Sequence, residues 1–96
     1  MTMEEFRRSL NADDSPAELT PALTALWWGA RGNWERAHSF AQDDEGASGA
    51  WVHAYLHRKE GDLSNARHWY NRAGRAPVTG TLDAEWDALA RELLAA

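Results

Sequence analysis

The sequence predicts an all-α domain built from two antiparallel helical hairpins, flanked by an N-terminal and a C-terminal capping helix. Three observations carry this. Residues that start helices (Thr2, Thr20, Asn33, Asp62, Thr81) each stand just before a run with helical apolar spacing. Glycines stand where such runs stop, at Gly32, Gly61 and Gly74. No segment alternates polar and apolar residues for long enough to make a strand.

Each element can be justified in order. Thr2 with Glu5 is a capping box, which starts a short helix over about Met3 to Leu10. Asn11 to Ser15 is polar and turn-like. Ser15-Pro16 could open another helix, but Pro21 inside it would remove a backbone hydrogen bond and clash with the preceding turn. Ser15 to Leu19 is therefore one turn at most, and 1–19 reads as an N-terminal helix and turn. Thr20 caps a helix that begins at Pro21 and runs through ALTALWWGA to Gly32. Asn33 caps WERAHSFAQ, which fades in Asp43 to Gly46, so 20–45 is the first hairpin. Ser48 or a neighbour opens AWVHAYLHRKE, which ends at Gly61. Asp62 caps LSNARHWYNRA, which ends at Gly74 with Pro77 beyond, so 47–76 is the second hairpin. Thr81 caps the last helix, 81–96, whose Leu82, Trp86, Leu89 and Leu93 form one apolar stripe.

The middle of the chain repeats. RGNWERAHSF lies over EGDLSNARHW at an offset of 29 residues, pairing Gly32 with Gly61, Ala37 with Ala66 and Phe40 with Trp69. Ala25 and Ala54 correspond upstream. Small residues at the contacts (Ala25 against Ala37, Ala54 against Ala66) let the paired helices come close. Trp34, Trp51, Trp69 and Trp86 each fall on an apolar stripe and are expected to fill the core. Trp27 and Trp28 sit about 100° apart, so one is expected inside and Trp28 at a groove or partner contact.

On Ala54, Gly61-Asp62, Ala66, Tyr70, Ala73 and Pro77, the second unit resembles a tetratricopeptide repeat. The 29-residue offset is shorter than that repeat's period of about 34, which implies a short link at Asp43 to Gly49. Two hairpins are also fewer than stacking usually needs, so the terminal helices must act as caps. The string WVHAYLHRKEGDLSNARHWYNRAGR further resembles a small, functionally uncharacterised family of bacterial helical proteins, over roughly Trp27 to Trp86. That resemblance implies a helical fold and a bacterial source, and it implies no activity.

Composition excludes several classes. There is no cysteine, so disulfides, thiolate metal sites and cysteine nucleophiles are ruled out. The N-terminus MTMEEFRRSL lacks a signal-peptide apolar run and no stretch suits a membrane span, so the protein is expected to be cytoplasmic. No serine-nucleophile elbow, phosphate loop or dinucleotide fingerprint is present, so no cofactor and no catalytic residue is assigned. Net charge is −5, yet His53 to Arg75 carries five basic and two acidic residues, giving +3 there and −8 elsewhere. An acidic chain argues against nucleic acid, while the basic segment leaves room for a small anion.

The chemistry-bearing residues cluster in that segment. His53 and His57, four apart on a helix, share a face and can place two imidazoles on one zinc or nickel ion. A site needs a further ligand. Glu60, His38 or His68 could serve, but nothing in the sequence shows that they converge, so no metal is assigned. The alternative is two amphipathic histidines lining an inter-helix surface. His68, Arg67 and Arg72 beside Trp69 and Tyr70 could hold an anion, or could be the wet face of a helix whose aromatic side packs inward. Asp83, Glu85 and Asp87 read as surface acids favouring the helix dipole.

The leading expectation is a module that binds a protein or peptide, or a second copy of itself, rather than an enzyme. Its contact residues would be His53, His57, Arg58, Arg67, His68, Arg72 and Trp28, with binding strengthened as the histidines protonate below about pH 6.5. The alternatives are a small-molecule or metal-binding domain, with or without catalysis, centred on His53 and His57, and a purely structural homo-oligomer.

Overall fold

A computed structural model describes all 96 residues. It contains six helices and no strand, with 68% of the chain helical. They are α1 (Met3–Ser9), α2 (Pro21–Ala30), α3 (Trp34–Gln42), α4 (Ala47–Glu60), α5 (Leu63–Ala73) and α6 (Leu82–Ala95). No helix is long and apolar enough to cross a membrane.

Local chemistry sets the helix ends. Thr2, Thr20, Asn33, Asp62 and Thr81 each accept a backbone N–H of the first turn through their side chains. The capping box of Thr2 and Glu5 is closed in both directions. Gly61 and Gly74 adopt φ of 92° and 72°, left-handed values that release the chain from α4 and α5. Residues 15–19 make a single turn, closed by Leu19 donating to the Pro16 carbonyl. α4 is the exception to side-chain capping. It starts from Gly46, whose own N–H is held by the Asp44 carboxylate. Gly49 matters here: a Cβ on it would lie 2.0 Å from the Asp44 carbonyl oxygen, so only glycine lets the loop fold back onto the helix.

α2 packs most closely with α3, and α4 with α5, each pair joined by a short turn. α4 is the centre of the molecule and touches α2, α3, α5 and α6. Every residue from Gly49 to His57 is buried, so α4 has no wet face over that length. This burial encloses His53 and His57 among neighbouring helices. The small-residue contacts are closed: Ala25, Ala37, Ala54 and Ala66 are all buried. Leucine at Ala54 is expected to overpack this contact and cost about 1–3 kcal/mol, read as a lower urea midpoint with an unchanged slope.

The tryptophans divide differently from the sequence expectation. Trp51 and Trp86 are buried, whereas Trp34 and Trp69 are only half-buried at the edge of the core. Trp27 and Trp28 are both buried, their rings edge to face at 4.9 Å. Trp28 therefore does not stand at a groove surface: α3 covers it, with the Arg36 guanidinium 4.2 Å above the ring. Its indole N–H has no partner.

Glu85 also corrects the sequence reading. Its neighbour Asp83 is exposed, but the Glu85 side chain is fully buried. It accepts hydrogen bonds from Arg58 Nη1 at 2.8 Å, Trp51 Nε1 at 3.2 Å and the Tyr70 hydroxyl at 2.5 Å. The reason is tertiary. A glutamate one turn into α6 meets three donors from α4 and α5, and an ion pair with Arg58 offsets the cost of burying its charge. Burial, and then the bond to Glu85, push the Tyr70 hydroxyl well above its ordinary pKa.

Candidate functional site

The groove-like face where α3 and α5 flank α4 gathers the unusual chemistry. Asn33 and Gly32 turn the chain so that α3 runs back over α4. Trp34, in the first turn of α3, donates its indole N–H to the Leu56 carbonyl at 2.7 Å and anchors α3 there. His38 lies four residues later on the same face of α3, and its ring stacks on Trp34 at 4.7 Å. This places His38 over α4, where its Nε2 lies 2.7 Å from Nε2 of His53.

His53 and His57 are near-parallel, with ring centroids 5.1 Å apart. From α5, Trp69 stacks on His53 at 3.8 Å and 6°. Glu60, one turn beyond His57, lies 2.8 Å through Oε2 from His57 Nδ1. Asn65 of α5 lies 3.4 Å from both nitrogens of the His57 ring, which is too far and too poorly directed for a strong bond. His38, His53 and His57 each offer a ring nitrogen within 4.8 Å of the others. His53 and His57 are buried and His38 is half-buried, so the cluster is reached from the His38 side.

Burial, and then the neighbouring His38, His57, Arg72 and His68, push His53 down from its ordinary 6.5 to about 4. Burial followed by His57 also lowers His38. These two rings are neutral at pH 7. The expected gain in anion binding as histidines protonate near pH 6.5 therefore does not apply to His53, because charging it means placing a cation in a buried site beside other basic groups.

A cleft of about 560 Å³ adjoins the cluster and shares His53 with it. Trp69 and Arg72 line one side, with the Arg72 guanidinium 5.1 Å from the Trp69 ring. Asp44 and Glu45, from the loop before α4, line it as well, with Ala47 and Ala50 of α4 as apolar lining.

The seven contact residues expected from the sequence do not share one face. His53, His57 and Arg72 belong to this region, and the exposed His68 approaches it edge-on to Trp69 at 5.4 Å. Arg58 does not belong to it. It sits about 100° around α4 from His57 and is committed to Glu85 and the Gly80 carbonyl. Arg67 is exposed and lines a small depression with Arg58, Leu63 and Val78, on another side of α5. It is five residues from Arg72, which on a helix is about 140° away. Trp28 is buried beneath α3.

Sequence reasoning leaves Glu60, His38 and His68 open as the third partner; the structure brings His38 to the pair and not His68. A signal existed: Trp34 and His38 are four apart, and a hairpin that buries Trp34 against α4 must carry His38 there too. Trp69 as a stacking partner, and Asn65, had no comparable signal. No protein-family model matches the chain, and no curated protein or solved structure is significantly similar to it.

Proposed function

We propose that this domain is a peptide-binding module whose site is the cleft beside His53, between α5 and the loop that enters α4. The observation that carries the reading is the mixed lining of the 560 Å³ cleft: Trp69 and Arg72 together with Asp44 and Glu45. Its size suits a ligand of a few residues. A guanidinium stacked on an indole donates a two-pronged hydrogen bond to a carboxylate, and the two loop carboxylates suit a basic group. The half-buried Trp69 offers an apolar surface between them. The occupant that fits is a short segment or chain end carrying both signs of charge. A tetratricopeptide-like arrangement of the α2–α3 and α4–α5 pairs is part of this reading, since such repeats commonly receive extended peptides in a groove.

Nuclear magnetic resonance of the six tryptophan indole N–H groups tests it. Titration with a panel of short peptides of mixed charge should shift the Trp69 signal and leave Trp27 and Trp86 in place. Binding should weaken with salt, and Arg72→Ala should weaken it about tenfold, the value of one charge-assisted hydrogen bond. No shift at Trp69 with any peptide, or equal binding by Arg72→Ala, would contradict the proposal. A concentration-dependent shift without peptide, matched by light scattering, would identify a second copy of the chain as the occupant.

A further inference from the structure

The histidine cluster beside the cleft carries an inference that does not depend on the cleft's occupant. We propose that His38, His53 and His57 form a three-imidazole site for a divalent transition-metal ion of the zinc class, with a water or small anion completing the coordination.

The donor set and its geometry support this. Three ring nitrogens lie within 4.8 Å of one another. Around a tetrahedral zinc with bonds near 2.0–2.1 Å, neighbouring nitrogens are about 3.3 Å apart. The 2.7 Å between His38 and His53 is shorter than that, so this pair needs to open by a fraction of an ångström. His38 is half-buried at the rim, and a slide of its ring along the Trp34 face opens the pair without unstacking it. Without an ion, one of these nitrogens must carry a proton and donate a hydrogen bond to the other. With an ion, both lone pairs face the metal and neither proton is needed.

The supporting shell is also present. The ring of His53 is clamped by Trp69 and that of His38 by Trp34, so two of the three ligands are oriented before any ion arrives. Glu60 Oε2 lies 2.8 Å from His57 Nδ1. A carboxylate there accepts a hydrogen bond from Nδ1–H and leaves the Nε2 lone pair free, as second-shell carboxylates do for metal-binding histidines. An all-nitrogen set selects zinc, nickel or copper over magnesium and calcium.

The neighbouring grouping of His57, Glu60 and Asp62 is the weaker arrangement. Its carboxylates are exposed, and Asp62 is already the cap of α5, accepting from the Asn65 N–H at 3.2 Å. Three protein ligands rather than four leave one tetrahedral position open, the pattern of a site that holds an exchangeable ligand.

The test uses the full chain without an affinity tag, stripped with chelator. Zinc titration by calorimetry should give one ion per chain. Cobalt should give an absorption band in the visible region typical of four-coordinate nitrogen ligation, and magnesium should not bind. His38→Ala is the decisive variant, because His38 is at the rim and its loss leaves the core intact; circular dichroism confirms the fold. It should lose zinc affinity by at least about 100-fold, Glu60→Gln by about 10–100-fold, and His68→Ala not at all. Absence of zinc binding in the parent chain would overturn the proposal. So would undiminished binding in folded His38→Ala, or an equal loss in His68→Ala, which would mark scattered surface association.

Discussion

Replacing Glu85 with alanine is expected to destabilise the domain by about 3–5 kcal/mol, a large part of the 5–15 kcal/mol that holds a typical domain together. Three donors converge on this one carboxylate: Arg58, Trp51 and Tyr70. The Arg58 side chain is itself only 16% exposed. Removing the carboxylate leaves a guanidinium without its counter-charge and two buried donors without an acceptor, and water has little access to replace them. The pair as a whole is worth much less than the loss of one partner suggests. Replacing both, Arg58→Met with Glu85→Leu, should recover the part of the loss that comes from the unpaired guanidinium and leave the part that comes from Trp51 and Tyr70, which still lack their acceptor. Urea unfolding of the two single variants and the double variant measures this. A neutral Glu85→Ala would show that the carboxylate is solvated.

Tyr70 supplies an independent readout of the same network. Its pKa is raised in the folded protein, so ionisation is favoured in the unfolded chain, near pH 10. The stability tied to this hydroxyl is complete below pH 10 and is lost as pH rises beyond it. Tyr55 is also raised, to about 12, by burial and then by Glu85. Both tyrosines of the chain are therefore expected to stay protonated until the protein unfolds in alkali, seen as a single cooperative rise in tyrosinate absorbance.

Trp86→Ala is expected to be of similar size, about 3–5 kcal/mol. The ring is 6% exposed, stacks on Phe6 at 5.6 Å, and donates its indole N–H to the Leu26 carbonyl at 2.9 Å. One side chain thus joins α6 to both α1 and α2. Its loss leaves a cavity and releases α1, which packs chiefly on α6. Trp69→Ala should cost well under half as much, since that ring is half-buried and leans on His53. Thermal or urea unfolding of the two variants separates core from site. Equal losses would mean that Trp69 belongs to the core after all.

These two variants also mark the limit of what the sequence discloses. Helix starts were readable because capping is local: a Thr, Asn or Asp and the amide three residues on lie in one stretch of chain. Gly61 and Gly74 were readable for the same reason, since each needs a left-handed backbone at a helix end. α4 was less sharp because its start is held by Asp44 rather than by a capping side chain of its own. The side of each helix facing its neighbours was harder still. Glu85 looks like a first-turn acid until Arg58 and Tyr70 are brought to it from 27 and 15 residues away. His53 and His57 were paired correctly by their spacing. Their third partner came from α3, where only docking of Trp34 against α4 decides the position of His38. Arg58 and Arg67 were grouped with the histidines by closeness in sequence, and the 3.6-residue turn separates them in space.

The convergence of three histidines and the exclusion of the fourth is the central claim. The most direct measurement is a long-range proton–nitrogen spectrum of the imidazole side chains, recorded across pH and then with one equivalent of zinc. The chain has four histidines. The account predicts that His53 remains neutral well below pH 6, and that zinc shifts one ring nitrogen each in His38, His53 and His57 together while leaving His68 unmoved. A His53 that titrates near its ordinary 6.5, with no concerted response to zinc, would contradict it.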